Sequence, residues 1–196
     1  MPAEAVVATL RQAWDILDDL QIPAAVMGGL ALAHWGHVRS TQDVDLLIAL
    51  TDVRPATLLA RLAGAGYRSK GRLPLVRLEG AEFIQLLYEP PQQFLDVQID
   101  LLLADTPFQR QALERRVMLP SSALGFDVAV VSCEDLIVLK LFAGRILDRV
   151  DVAELLKANR DTLDLGYLTG WIHQLTLERP FSEAWNDAFP GDALPV

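Results

Sequence analysis

Cysteine occurs once in the 196 residues, at Cys133, so no disulfide can form within the chain, and nothing in the spacing of its three histidines resembles a zinc site. No apolar run reaches the roughly 20 residues that span a bilayer, and the opening residues lack the basic start and apolar core of a signal peptide. A soluble, cytoplasmic protein with no membrane partner is expected. Basic residues are outnumbered, 17 against 26 acidic, and the net charge of −9 excludes nonspecific attraction of the whole surface to a nucleic-acid backbone. Any RNA substrate needs a local basic patch. Arg68, Lys70, Arg72 and Arg77 form one candidate group, and Arg110, Arg115 and Arg116 another, although ordinary solubility is the simpler account of both. There is no internal repeat, low-complexity segment or flexible linker. With 52% hydrophobic and 22% charged residues, the chain has the makings of a substantial core. Its length suits one large domain, or a small domain with a helical extension.

What is present concentrates between Val26 and Ile48. A short apolar run stops at Gly28-Gly29, a single helix follows, Gly36 breaks it, and a second apolar run opens with Asp43-Val44-Asp45. Strand, glycine turn, helix, loop, strand is the simplest parse. Side chains alternate faces along a strand, so Asp43 and Asp45 project together while Val44 and Leu46 face the core. Two carboxylates in one small volume repel unless a divalent cation lies between them, which points to magnesium. A strand that turns through glycines into a helix exposes backbone N–H groups where the helix dipole favours phosphate, and glycine lets a ligand approach closely. Gly28 and Gly29 are therefore candidates for binding a nucleoside triphosphate (NTP). The plainer account is that the glycines end a strand and the acids are its solvated start.

Gly28-Gly29, the helix, and then Arg39-Ser40-Thr41-Gln42-Asp43-Val44-Asp45-Leu46 resemble the signature of minimal nucleotidyltransferases of the polymerase-beta superfamily. The resemblance is greatest to the AbiEii-like toxin branch, associated with type IV toxin–antitoxin systems. Many members of the superfamily have a serine after the glycine pair, where this chain has Leu30. The resemblance implies an α/β (α+β) nucleotidyltransferase fold, a mixed β-sheet with flanking helices; the element pattern places it over residues 1–131, with a C-terminal helical region over 132–196 expected to pack against it because no linker marks a boundary.

The opening helix is read at residues 4–20, with Val7, Leu10, Trp14, Leu17 and Leu20 on one side, and Pro23 then starts the first strand. A helix from Pro55 to Leu62 ends at Gly64 and Gly66. Three runs, 75–78, 83–88 and 94–103, separated by Glu79-Gly80 and Pro90-Pro91, read as a meander. In the last of these, Asp96, Gln98 and Asp100 alternate with Leu95, Val97, Ile99 and Leu101. The resemblance implies a third carboxylate on this strand, and Asp100 is the choice. Asp96 lies roughly 13 Å away along the same face, too far to serve the same metal. Thr106-Pro107 starts a helix read as far as Val117, residues 128–131 form a last short strand, and Ser132 caps the helix carrying Asp135. The remainder reads as helices at 134–147, 151–159, 167–177 and 182–189.

Lys140 lies in an apolar helix whose neighbours three and four positions away, Leu136, Ile137, Ala143 and Gly144, accept no charge. A buried ammonium needs a partner from elsewhere, and a triphosphate would serve; a lysine that snorkels to water would not need one. The resemblance favours the nucleotide, because related toxins place a lysine of a similar helix on its phosphates. Arg149-Val150-Asp151-Val152-Ala153-Glu154 is similar to the Arg-x-Lys-Asp-x-x-Asp segment that follows that helix, with Val150 and Glu154 as departures. By that resemblance Asp151 belongs to the nucleotide site, while as an isolated residue it is equally an N-cap. Arg39 either pairs with Asp43 or reaches a phosphate, the pair being the simpler reading. His34 and His37 are read as structural, and the four tryptophans as core or interface anchors.

Together these readings give a magnesium-dependent transferase. Asp43, Asp45 and Asp100 hold two Mg²⁺ ions, Asp100 helps activate the acceptor hydroxyl, and Gly28, Gly29, Arg39, Lys140 and Asp151 hold the NTP. The resemblance implies as acceptor a tRNA 3′ end or a hydroxyl of a partner protein, with a cognate antitoxin or toxin as a further partner. An antibiotic-modifying transferase is a weaker enzymatic option. The alternative is a noncatalytic nucleotide- or protein-binding module that retains the fold, favoured by Leu30 and by the departures between Arg149 and Glu154.

Overall fold

The structure is a computed structural model that describes residues 4–78, 81–120 and 124–195. The expected Glu79-Gly80 turn lies outside the described residues. The chain divides into two compact units, one of residues up to 30 together with 40–131, the other of 31–39 together with 132 onward.

The first unit holds the sheet. Its elements are α1 (Glu4–Asp19), β1 (Ala24–Val26), the start of α2 (Gly28–His34), β2 (Asp43–Ile48), α3 (Pro55–Gly64), β3 (Arg68–Ser69), β4 (Leu75–Leu78), β5 (Ala81–Tyr88), β6 (Val97–Leu103), α4 (Pro107–Glu114), β7 (Val117–Leu119) and β8 (Val128–Val130). The strand order is β3-β5-β6-β2-β1-β8-β7, with β4 also pairing with β5. β2 runs parallel to β6 and β1 parallel to β8, while the other pairs are antiparallel, so the sheet is mixed. Burial follows the apolar pattern. Val44, Leu46, Leu47 and Ile48 of β2 and Ile99 and Leu101 of β6 are closed to solvent, as are Leu10 and Leu17 of α1. Tyr67 donates to the backbone carbonyl of Thr9 in α1 and stacks on Tyr88, tying the end of α3 and the end of β5 to the first helix.

The second unit is helical: α2 runs into it, and it contains α5 (Cys133–Ala143), α6 (Ile146–Asn159), α7 (Leu165–Gln174) and α8 (Glu178–Ala188). Ser132 accepts from the backbone N–H of Asp135, the cap read from the sequence. Trp185 is buried in α8.

Several boundaries differ from the sequence reading. The helix expected to reach Val117 stops at Glu114, and Val117–Leu119 instead form β7 against β8. The strand expected from Phe94 begins at Val97, because its partner β5 ends at Tyr88, opposite Val97, and leaves nothing for Phe94 and Leu95 to pair with. The helix expected over 134–147 ends at Ala143, where Gly144 takes the left-handed conformation (φ +64°). A new helix starts at Ile146, so Asp151 sits inside α6 and is not an N-cap.

Candidate active site

β2 and β6 place their acids side by side. The parallel register sets Asp45 opposite Asp100 and Asp43 opposite Gln98, at the usual strand spacing of about 4.8 Å. On the other side of β6, Gln85 of β5 stands opposite Asp100, and Leu87 opposite Gln98. Residues in register across a sheet share a face, so Asp45, Asp100 and Gln85 form one row and Asp43, Gln98 and Leu87 the next. The backbone N–H of Lys70 bonds the carbonyl of Gln85 and extends the first row to the edge.

Asp100 is half-buried. Its Oδ1 accepts from Gln85 Nε2 at 3.2 Å and its Oδ2 from Gln98 Nε2 at 2.8 Å, while Lys70 Nζ donates to Gln98 Oε1 at 2.5 Å. Burial pushes the Asp100 carboxyl above the ordinary carboxylate range and the charge of Asp43 adds to the rise, against the amides of Gln98 and Gln85 and the charge of Lys70. Asp96 lies just before β6 and forms an exposed ion pair with Arg68, so it takes no part in the row.

The glycine turn is shaped around the same acids. Gly28 has φ +60°, and a Cβ there would lie 1.9 Å from Asp45 Oδ2. A Cβ on Gly29 would lie 2.6 Å from Thr41 Oγ1. The close approach that glycine permits is thus used first by the carboxylate of β2 and by a threonine hydroxyl. Leu30 is buried among the core residues.

Lys140, Arg39 and Asp151 come together in the helical unit. Lys140 is 4% exposed and donates to Asp148 at 3.0 Å and to Asp151 at 2.7 Å. Asp151 also receives both Nε and Nη2 of Arg39, at 3.1 and 3.2 Å, and lies 3.1 Å from His37 Nε2. Arg145 holds Asp148 through its side chain and its backbone N–H. Burial alone would raise the Asp148 carboxyl, but Arg145 and Lys140 outweigh it and hold it below the usual range. The partner that Lys140 requires is supplied by α6, and Arg39 pairs with Asp151 rather than with Asp43. As members of these clusters, Gln85, Gln98, Lys70, Thr41, His37 and Asp148 escaped the sequence reading. Two of them left a local trace: Gln98, two residues before Asp100 on one strand, and Asp148, one helical turn before Asp151.

For a divalent metal, Asp43, Asp45 and Asp100 offer carboxylate oxygens, the hard donors that suit Mg²⁺. Burial raises the Asp100 carboxyl and the charge of Asp43 adds to the rise, and a cation bound beside them would offset both. Among the described residues no three His, Cys, Asp or Glu side chains close into a group able to hold one ion. The residues therefore fit magnesium by donor chemistry and strand register, short of a finished cage.

Residues 13–194 match the family described as "Nucleotidyl transferase AbiEii toxin, Type IV TA system". The chain belongs to the AbiEii nucleotidyltransferase toxin family. An AbiEii chain is accordingly an enzyme of nucleotidyl transfer, and membership implies an NTP substrate, typically with a divalent metal, and a toxin–antitoxin context. Solved structures share its fold. An antigenic nucleotidyltransferase-like protein from Paracoccidioides brasiliensis is 20% identical, with 91% of each chain covered and a TM-score of 0.52. JHP933 from Helicobacter pylori is 16% identical over 95% of this chain and 82% of that one, with a TM-score of 0.53. ANT(2″)-Ia, solved in complex with adenylyl-2″-tobramycin, is 16% identical over 89% of this chain and 98% of that one, with a TM-score of 0.53. No curated protein matches the AbiEii chain. Its mixed sheet and helices are those of the nucleotidyltransferase fold, as the resemblance implied. No helix among the described residues is long and apolar enough to cross a membrane.

Proposed function

We propose that the protein transfers a nucleoside monophosphate from an NTP to an acceptor hydroxyl, using Asp43, Asp45 and Asp100 as its metal-binding carboxylates. The observation that carries the reading is the register of Asp45 with Asp100 beside a glycine whose missing Cβ makes room for the Asp45 carboxylate. Two Mg²⁺ ions held there would neutralise charge on the attacking and leaving oxygens. Asp100, raised by burial, accepts the acceptor's proton at a carboxylate oxygen as the new bond to the α-phosphorus forms. The α–β bridge then breaks and pyrophosphate leaves. The Gly28 and Gly29 backbone orients the triphosphate. Lys140, Arg39 and Asp151 are assigned to the nucleotide too, but they carry less of the reading. Asp148 and Asp151 already take two of the three N–H donors of Lys140.

The acceptor is a tRNA 3′ end or a hydroxyl of a partner protein, in a cytoplasmic toxin–antitoxin pair. ANT(2″)-Ia, solved with an adenylylated tobramycin, keeps a small hydroxylated acceptor as a third choice. Leu30 and the internally neutralised Lys140 favour one other reading, a noncatalytic nucleotide- or protein-binding module. Magnesium-dependent incorporation of labelled nucleotide into total tRNA, set against incorporation into a co-purifying protein, tests both. Label in either supports the transferase and names its acceptor class. Label in neither, with no NTP binding by calorimetry, contradicts it.

A further inference from the structure

We propose that Gln98, held by Lys70, is a positioning residue that fixes the plane of the Asp100 carboxylate. Lysine only donates and an ionised carboxylate only accepts, whereas a glutamine amide does both from opposite ends. With Lys70 Nζ on Oε1 and Asp100 Oδ2 on Nε2, one orientation of the Gln98 amide satisfies both neighbours, and the flipped one opposes N–H to N–H and oxygen to oxygen. Gln85 donates to the other oxygen from the opposite strand. The two amides therefore grip Asp100 at both oxygens, and the remaining lone pairs stay open in one plane.

The backbone sets up this arrangement. Gln98 and Asp100 are two residues apart on one strand and so share a face, while register places Gln85 across from Asp100. The N–H of Lys70 is tied to Gln85, which anchors the lysine one strand further out, and its long side chain spans β5 to reach Gln98. Lys70 is exposed, so its role does not depend on a buried charge. The proposal rests on the reading of Asp100 as a metal-binding carboxylate. Outer partners that orient such ligands are worth about 10–100-fold in metal affinity.

The test uses the full chain and two readouts. The first is NMR of the metal-free protein, in which Gln98→Met identifies the Gln98 side-chain amide signals by their disappearance. Lys70→Met should shift and broaden those signals and leave those of Gln85 in place, and Lys70→Arg should restore them. Unmoved Gln98 signals in Lys70→Met overturn the proposal whether or not the protein binds metal. The second readout is Mn²⁺ affinity. Gln98→Met should weaken it about tenfold or more, and adding Lys70→Met in that background should weaken it no further. Losses that multiply would show Lys70 acting independently of Gln98, which also overturns the proposal. A wild-type chain that binds no Mn²⁺ would instead contradict the metal reading of Asp100, and the NMR result would still decide the role of Lys70.

Discussion

Gly28→Ala probes the joint between the glycine turn and the carboxylates. At φ +60° alanine meets the left-handed penalty of about 1–2 kcal/mol. Its Cβ would stand 1.9 Å from Asp45 Oδ2, and ordinary contact begins at 3.4 Å, so the carboxylate must retreat by about 1.5 Å (3.4 less 1.9). A misplacement of about 1 Å at a reacting centre costs on the order of 10²-fold. Nucleotide transfer should therefore fall about a hundredfold, while the melting temperature drops by only about 2–8 °C, at about 2–4 °C per kcal/mol for a chain of this size. Gly64→Ala is the control. A Cβ there meets nothing within 4 Å, and in a helix the change should stabilise by about 0.5–1 kcal/mol. Because the effect of Gly28→Ala runs through Asp45, it should add little in an Asp45→Ala background. A Gly28→Ala protein with near wild-type transfer, or with a full additional loss in that background, contradicts an effect that runs through the Asp45 carboxylate.

Three further outcomes follow from the geometry. Lys140→Met leaves Asp148 and Asp151 buried with one cation fewer, and breaking such a cluster costs about 3–5 kcal/mol, read as a loss of roughly 6 °C or more in melting temperature. Asp148 is held below its ordinary range, so its contribution to stability is full above the unfolded carboxylate value of about 3.9 and is lost as the pH falls through the folded value. Urea midpoints taken from pH 6 downward should decline less steeply in Asp148→Asn than in wild type. Thr106→Ala removes one half of the capping box at the start of α4 and should cost about 1 kcal/mol by denaturant unfolding.

Local patterning made much of this arrangement legible in the sequence. The Asp-Val-Asp alternation set the first residue of β2, the glycine pair marked the turn into α2, and Pro55 and Gly64 bracketed α3. Where a partner distant in sequence decided the outcome, local pattern was blind. Val117 is a strand residue because Val130 lies across from it, and β6 starts where β5 runs out. The same distinction separates the site residues. Asp43 and Asp45 were visible from spacing, and Asp100 came from resemblance rather than from periodicity. Gln85 matters only through register, which two strands establish between them, while Gln98 shares its strand with Asp100 and draws its own partner, Lys70, from beyond β5. For Lys140 the sequence left open a partner from elsewhere or an amine reaching water, and the partner lies one helix further on, beyond the Gly144 stop that the apolar run concealed.

On the proposed reading, Asp45 and Asp100, with Asp43 beside them, bind metal as one constellation, and Asp96 stands apart from it. Titration of Mn²⁺ into the wild-type chain and into Asp45→Asn, Asp100→Asn and Asp96→Asn, followed by calorimetry, tests it most directly. Binding should survive in Asp96→Asn and fall by at least tenfold in each of the other two. Equal affinity in Asp100→Asn and wild type, or a loss in Asp96→Asn as large as in Asp45→Asn, contradicts it.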